Sequence, residues 1–265
     1  MISTSLLPST LSSLYLTDAA SAAFAALLAT PLVAAVDKAI VQLSAGQVAS
    51  VGASVAASLQ SMARNPLKFA ARPEFLLVFT VYFLTYLSAN FAETYCESAD
   101  LSPAMPKLAA TTVTNVCACI TKDALLARIY SGGPARSVPL LTVLLFALRD
   151  MMTVAASFTL PPAVSSKLQE KGLAPSPADN AAQVLCPVSV QVLSTPIHLL
   201  GLSLYSHPSL TASARASSVA ATYKSALAGR AGRILPAFGL GGVGNRMARN
   251  KLREAVKRRE EAKRK

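Results

Sequence analysis

From Phe75 to Ala92 the chain runs without a single charged residue. A backbone in hydrocarbon has no water to bond, so a stretch of that length and character that crosses a bilayer must be a helix, and about 20 apolar residues suffice. Extended to Tyr95, with Tyr82, Tyr86 and Tyr95 suited to the interfaces, this is the cleanest crossing in the sequence. Five more apolar stretches follow the same logic. They cover Ala19 to Ala45, broken by Asp37-Lys38, and Leu108 to Tyr130, with Lys122, Asp123 and Arg128 near its end. The next is Val138 to Ser165, with Arg149-Asp150 in its middle, and then Ala181 to Tyr205, with only His198. The weakest is Ala216 to Asn245, which holds Lys224, Arg230 and Arg233 and is thinned by Gly241, Gly242 and Gly244.

Composition agrees with lipid as the solvent. Charged residues are 14% of the chain against roughly 25% in soluble domains, and mean hydropathy is +0.45. Ala, Ser and other small residues suit helices that approach closely in lipid. The net charge of +12 is concentrated at the end, where 246–265 carries ten Lys or Arg against Glu254, Glu260 and Glu261. That tail reads as a solvated helix or arm whose functional partner is the anionic headgroups of membrane lipids, cardiolipin among them. No stacking aromatics accompany its bases, so nucleic acid is not expected.

The expected organisation is a short N-terminal segment (1–18), a membrane domain (19–245) and the basic tail (246–265). Six crossings place both termini on one side. Basic residues favour the loops after the odd crossings, at Arg64, Lys68, Arg72, Arg136, Arg215 and His207, whereas the tail breaks the positive-inside rule. Between Ala39 and Ala63 no residue is charged, and Ser, Gly and Gln abound, which suits a surface helix or a continuation of the first crossing. Cys96, Cys117, Cys119 and Cys186 lack metal-ligand spacing and read as small buried thiols. No signal peptide, Walker loop or catalytic triad is visible, and neither enzyme activity nor a cofactor is expected.

Three segments share a local pattern: Ala29-Thr30-Pro31-Leu32, Ile120-Thr121-Lys122-Asp123 and Ser194-Thr195-Pro196-Ile197. With Arg233-Ile234-Leu235-Pro236-Ala237-Phe238-Gly239, they resemble the mitochondrial carrier family in a degenerate form. The resemblance implies an all-α membrane protein of six transmembrane helices, in three pseudo-repeats of helix pairs around a central cavity. The repeats would cover about 19–97, 104–170 and 180–245. It also implies the mitochondrial inner membrane, and a gating role for Pro31, Lys38, Asp123, Arg128, Pro196, His198 and Pro236. The family's ring of ion pairs is incomplete here, since its acid positions fall on Val33, Asp123 and His198 and its base positions on Val36, Leu126 and Gly201.

Charges inside the apolar stretches carry the functional expectation, because one at mid-bilayer costs about 2.5–3.5 kcal/mol on insertion scales. Arg149 and Asp150 lie about 100° apart on a helix and have no opposite charge one turn away, so their partners are water, a solute or another helix. A cavity site and an interhelix pair are both open readings. Arg230 and Arg233, one turn apart, would line a positive cavity that attracts a small anionic metabolite. His198 reads either as a satisfied core group or as a titrating gate. The expected function is transport of that metabolite by alternating access, with Arg149, Asp150, Arg230 and Arg233 contacting it. The rival is a non-transporting scaffold or assembly factor.

Overall fold

A computed structural model describes residues 8–130 and 137–264, and all regular structure among them is helical. The helices are α1 (Pro8–Ser44), α2 (Val51–Arg64), α3 (Pro66–Ala70), α4 (Pro73–Ser98) and α5 (Ala104–Tyr130), followed by α6 (Leu140–Val154), α7 (Leu160–Glu170), α8 (Pro175–Ser206), α9 (Ala212–Gly232) and α10 (Val243–Arg264). A π-helical turn, Ala155–Thr159, joins α6 to α7, and a π-helical stretch, Leu235–Gly242, precedes α10. Arg136 lies outside the described residues.

Local chemistry explains the breaks. α1 does not continue through the uncharged stretch 39–63 because Gly46 takes φ +73°. Its amide bonds to the Leu43 carbonyl while that of Gln47 reaches back to Gln42, which closes the orphan carbonyls of the helix end. Gly172, at φ +96°, ends α7 in the same way, through Gln169 and Leu168. Asn65 separates α2 from α3 by accepting the Lys68 amide at 3.1 Å, with Pro66 opening the new helix.

The fold is inverted relative to a water-soluble protein. On α6, Leu140, Leu141, Leu144, Leu148 and Met151 are exposed, whereas Thr142, Phe146, Arg149 and Asp150 are buried. On α8, Val184, Leu185, Val192 and Leu193 face outward while Gln191, Ser194, Thr195 and His198 face inward. An apolar exterior around a polar interior is stable only where the surrounding solvent is hydrocarbon. Four helical runs are long and apolar enough to cross a membrane, namely Thr10–Ser44, Pro73–Ser98, Leu140–Glu170 and Pro175–Ser206. The protein is therefore a multi-pass membrane protein, but the expected six crossings are not what the helices support. α5 and α9 form where the third and sixth crossings were expected, yet Lys122, Asp123, Arg128 and then Lys224, Arg230 and Gly229 leave them too polar. The loop-charge argument that counted six crossings falls with that number.

The chain folds as two compact units. The first gathers Met1–Thr30, Leu77–Ala118 and Leu235–Lys265, and the second gathers Pro31–Leu76 and Cys119–Ile234. In the first, a Cβ added to Gly241 would overlap Tyr86 Oη and lie 3.2 Å from Ala29 Cβ. The glycines that weaken the helix locally thus let it pack against α1 and α4. The Tyr86 hydroxyl also donates to the Ala237 carbonyl at 2.9 Å, inside the π-helical stretch. In the second unit α8 packs on α6, α7 and α9, and Gly201 admits the Phe146 ring, whose Cε1 would be 2.8 Å from an added Cβ. None of the four cysteines is in a disulfide, and Cys117, expected inside, is exposed.

Candidate functional site

The second unit holds a connected set of buried charges. From the Pro31–Ser44 part of α1 comes Asp37, from α5 come Lys122 and Asp123, and from α6 come Arg149 and Asp150. α8 supplies Gln191, Ser194 and His198, α9 supplies Arg230, and Arg233 follows directly. Arg233 Nη1 lies 2.5 Å from Asp37 Oδ1, and Lys122 Nζ lies 2.5 Å from both Asp37 Oδ2 and Asp123 Oδ1. Arg149 pairs with Asp123 and, at 3.0 Å, with Asp150. Its partner from another helix is thus an α5 carboxylate, one of the possibilities the sequence left open.

Arg230 differs from the other bases. Its side chain is 1% exposed, yet among the described residues it meets no carboxylate. Nε donates to Gln191 Oε1 at 3.1 Å, Nη1 lies 2.6 Å from His198 Nδ1, and Nη2 donates to Ser194 Oγ at 3.4 Å. Arginine only donates, so His198 Nδ1 accepts and the ring proton is on Nε2. That Nε2 has no hydrogen-bond partner among the described residues; Asp123 Oδ2 is 3.9 Å away. Arg149 Nε and Thr195 Oγ1 are likewise buried without one. Four bases (Lys122, Arg149, Arg230, Arg233) thus share three acids (Asp37, Asp123, Asp150). Burial, then Arg149 and Arg233, push the Arg230 pKa well down. An arginine stays protonated even so, and the strain is felt as a buried positive charge without a counter-ion.

The first unit holds a second network with a different balance. Asp18 on α1 is fully buried and accepts from Arg249 Nε at 2.7 Å and from the Thr94 hydroxyl. Arg249 also reaches the Asn90 carbonyl at 3.2 Å and Glu93 at 3.1 Å, and Arg253 reaches Glu97 at 2.7 Å. Asn90 and Asn245 exchange hydrogen bonds at 3.0 and 2.9 Å, and Lys107 pairs with Glu93 at 2.6 Å. Here three acids (Asp18, Glu93, Glu97) face three bases (Lys107, Arg249, Arg253). Burial opposes the charge on Arg249, but the hydrogen bond and charge of Asp18 outweigh it and its pKa is raised. The tail is therefore helical and pinned at its start.

Of the expected site residues, Arg149, Asp150, Arg230, Arg233, Asp123 and His198 belong to the one network in the second unit. Lys38 stands apart, bound to Glu74 at 3.0 Å, and Arg128 is exposed. Arg215 is buried and ties the α8–α9 connection together through the His207 and Leu210 carbonyls. Pro31 and Pro196 lie inside continuous helices. Proline lacks the N–H that would bond the carbonyl four residues earlier. For Pro196 that carbonyl is Val192, and the Tyr223 hydroxyl of α9 bonds it instead at 3.0 Å. Pro236 falls in the π-helical stretch. Sequence reasoning passed over Asp37, Lys122, Gln191 and Ser194 as site residues. The 191, 194, 198 spacing, which puts three polar groups on one face of an apolar helix, was the available signal.

A family model described as probable citrulline exporter matches residues 21–253. The chain belongs to that family. Membership points to a membrane transporter of a small metabolite rather than an enzyme. No curated protein matches the chain. The resemblance to mitochondrial carriers is overturned, because the family matched over nearly the whole chain is a different one. The motifs that carried it, a Thr-Pro step and scattered charges, are short and arise readily in helices built from Ala, Ser, Thr and Pro. The six-helix threefold repeat and the mitochondrial inner membrane rested on it and lose their support with it.

Proposed function

We propose that this chain exports citrulline, or a neutral α-amino acid of similar shape, by alternating access, and that the buried network of the second unit borders the path. Arg149, Asp150, Arg230 and Arg233 are the proposed solute contacts, with Asp123 and His198 as the groups that rearrange around them. The observation that carries this reading is the burial of that network behind α6 and α8, whose exposed faces are apolar. In lipid such a network costs several kcal/mol in desolvation, and polar groups persist there where they serve a solute path. The family match supplies the solute. Pro196, between Ser194 and His198 and with the Val192 carbonyl that it frees bonded by Tyr223, is a place where α8 can bend.

Counterflow tests the proposal. Liposomes containing the full chain and loaded with unlabelled citrulline should accumulate labelled citrulline from outside, and empty-loaded liposomes should not. Counterflow of dicarboxylates with none of citrulline is the result that removes the reading.

The exposed bases of α10, Arg246, Lys251, Lys257, Arg258 and Arg259, are proposed to meet anionic lipid headgroups, at about 1 kcal/mol each near the surface. Thermal stability in nanodiscs should rise when anionic lipid replaces zwitterionic lipid, and an unchanged midpoint would remove that role.

A further inference from the structure

The bases of the second unit are not alike. Arg233, Lys122 and Arg149 each reach at least one carboxylate, whereas Arg230, as buried as Lys122 and Arg149 and more so than the half-buried Arg233, is held only by uncharged acceptors among the described residues. Those acceptors come from one face of one helix, at Gln191, Ser194 and His198 of α8. They engage three of the five N–H donors of the guanidinium. The contact to Ser194, at 3.4 Å, is long, and the Ser194 hydroxyl keeps a partner without it by donating to Gln191 Oε1 at 3.3 Å. Gln191 is itself fixed by donating Nε2 to the Pro187 carbonyl at 2.9 Å. The neutral shell is therefore positioned by α8 and brings no counter-charge to Arg230.

We infer that Arg230 is the receptor for the carboxylate of the transported amino acid, and that Gln191, Ser194 and His198 occupy its donors until that carboxylate arrives. The inference rests on the transport reading above and adds to it the group recognised. A carboxylate brings the one negative charge by which four bases outnumber three acids. Its two oxygens match the planar fork of a guanidinium, and a neutral amide presents neither feature. Burial sharpens the preference, since a charge 1% exposed is weakly screened by solvent. The orphaned His198 Nε2–H lies on the same side chain that gives up Arg230 and is the next donor available to the incoming group.

The test is competition against labelled citrulline in proteoliposomes of the full chain, with citrulline and its α-carboxamide as competitors. The carboxamide should compete roughly ten-fold or more weakly, because it forfeits a charge-assisted pair. Arg230→Lys, which keeps charge without the fork, should retain part of that discrimination. Arg230→Gln, checked to be folded by its thermal midpoint, should have an acid-to-amide ratio near one, a change that a purely structural role would not produce. Equal competition by acid and amide in the unaltered protein, with citrulline still transported, overturns the inference and leaves the transport reading standing. Absence of amino-acid transport in the unaltered protein overturns both.

Discussion

In the first unit three bases meet three carboxylates, and the buried Asp18 is enclosed by Arg249, Thr94 and Arg253. In the second, four bases share three carboxylates, and Arg149 Nε and His198 Nε2 are left without a hydrogen bond among the described residues. Only Arg253 Nε is left so in the first network, on a side chain 15% exposed. The difference separates two uses of buried charge. A matched network costs desolvation and recovers it in hydrogen bonds, so it can fix where a helix docks. A mismatched one recovers less, and in the proposed function its remaining capacity is turned toward a solute.

Breaking the matched network should have the largest effect. Asp18→Ala leaves Arg249 buried beside Glu93 alone and should destabilise the protein by about 3–5 kcal/mol. The expected observation is a lower thermal midpoint in detergent, and an unchanged midpoint would show that the tail is not anchored there. Arg149→Ala removes the principal partner of Asp123 and Asp150 and should cost about 3 kcal/mol as well as transport. Transport at the normal rate in the surviving folded protein would remove Arg149 from the path. Next comes Gly241→Ala, whose new methyl meets Tyr86 Oη and should cost about 1–3 kcal/mol through overpacking. Tyr86→Phe added to it deletes the closest clash and should recover part of the midpoint. If it recovers nothing, the close approach is not the cause. The smallest effect on stability belongs to Arg230→Met. Removing an unpaired buried charge should leave the midpoint unchanged or raise it, within about 1 kcal/mol, while transport is lost. A fall as large as that of Asp18→Ala would erase the contrast between the units.

Part of this was legible in sequence and part was not. The uncharged run 75–92 and the charges at Arg149, Asp150, Arg230 and Arg233 announced themselves, because lipid makes both unusual. Asp37 and Lys38 are neighbours about 100° apart, and no local pattern says which faces the network. Asp37 does, and Lys38 turns to Glu74. Gln191 and Ser194 carry no charge and vanish into an apolar helix unless their shared face is noticed. The bond between Asp18 and Arg249 spans 231 positions, beyond any motif, so the tail read as solvated. The proline-centred pattern misled because it is only a few residues long, whereas the match over 21–253 is to a different family.

Citrulline counterflow compared between Arg230→Gln and Arg253→Gln, at matched amounts of folded protein, bears most directly on the division of roles. Counterflow should fall roughly ten-fold or more in the first variant, with a measurable remainder, and stay at the unaltered rate in the second. Equal rates in the two, or loss confined to Arg253→Gln, would contradict it.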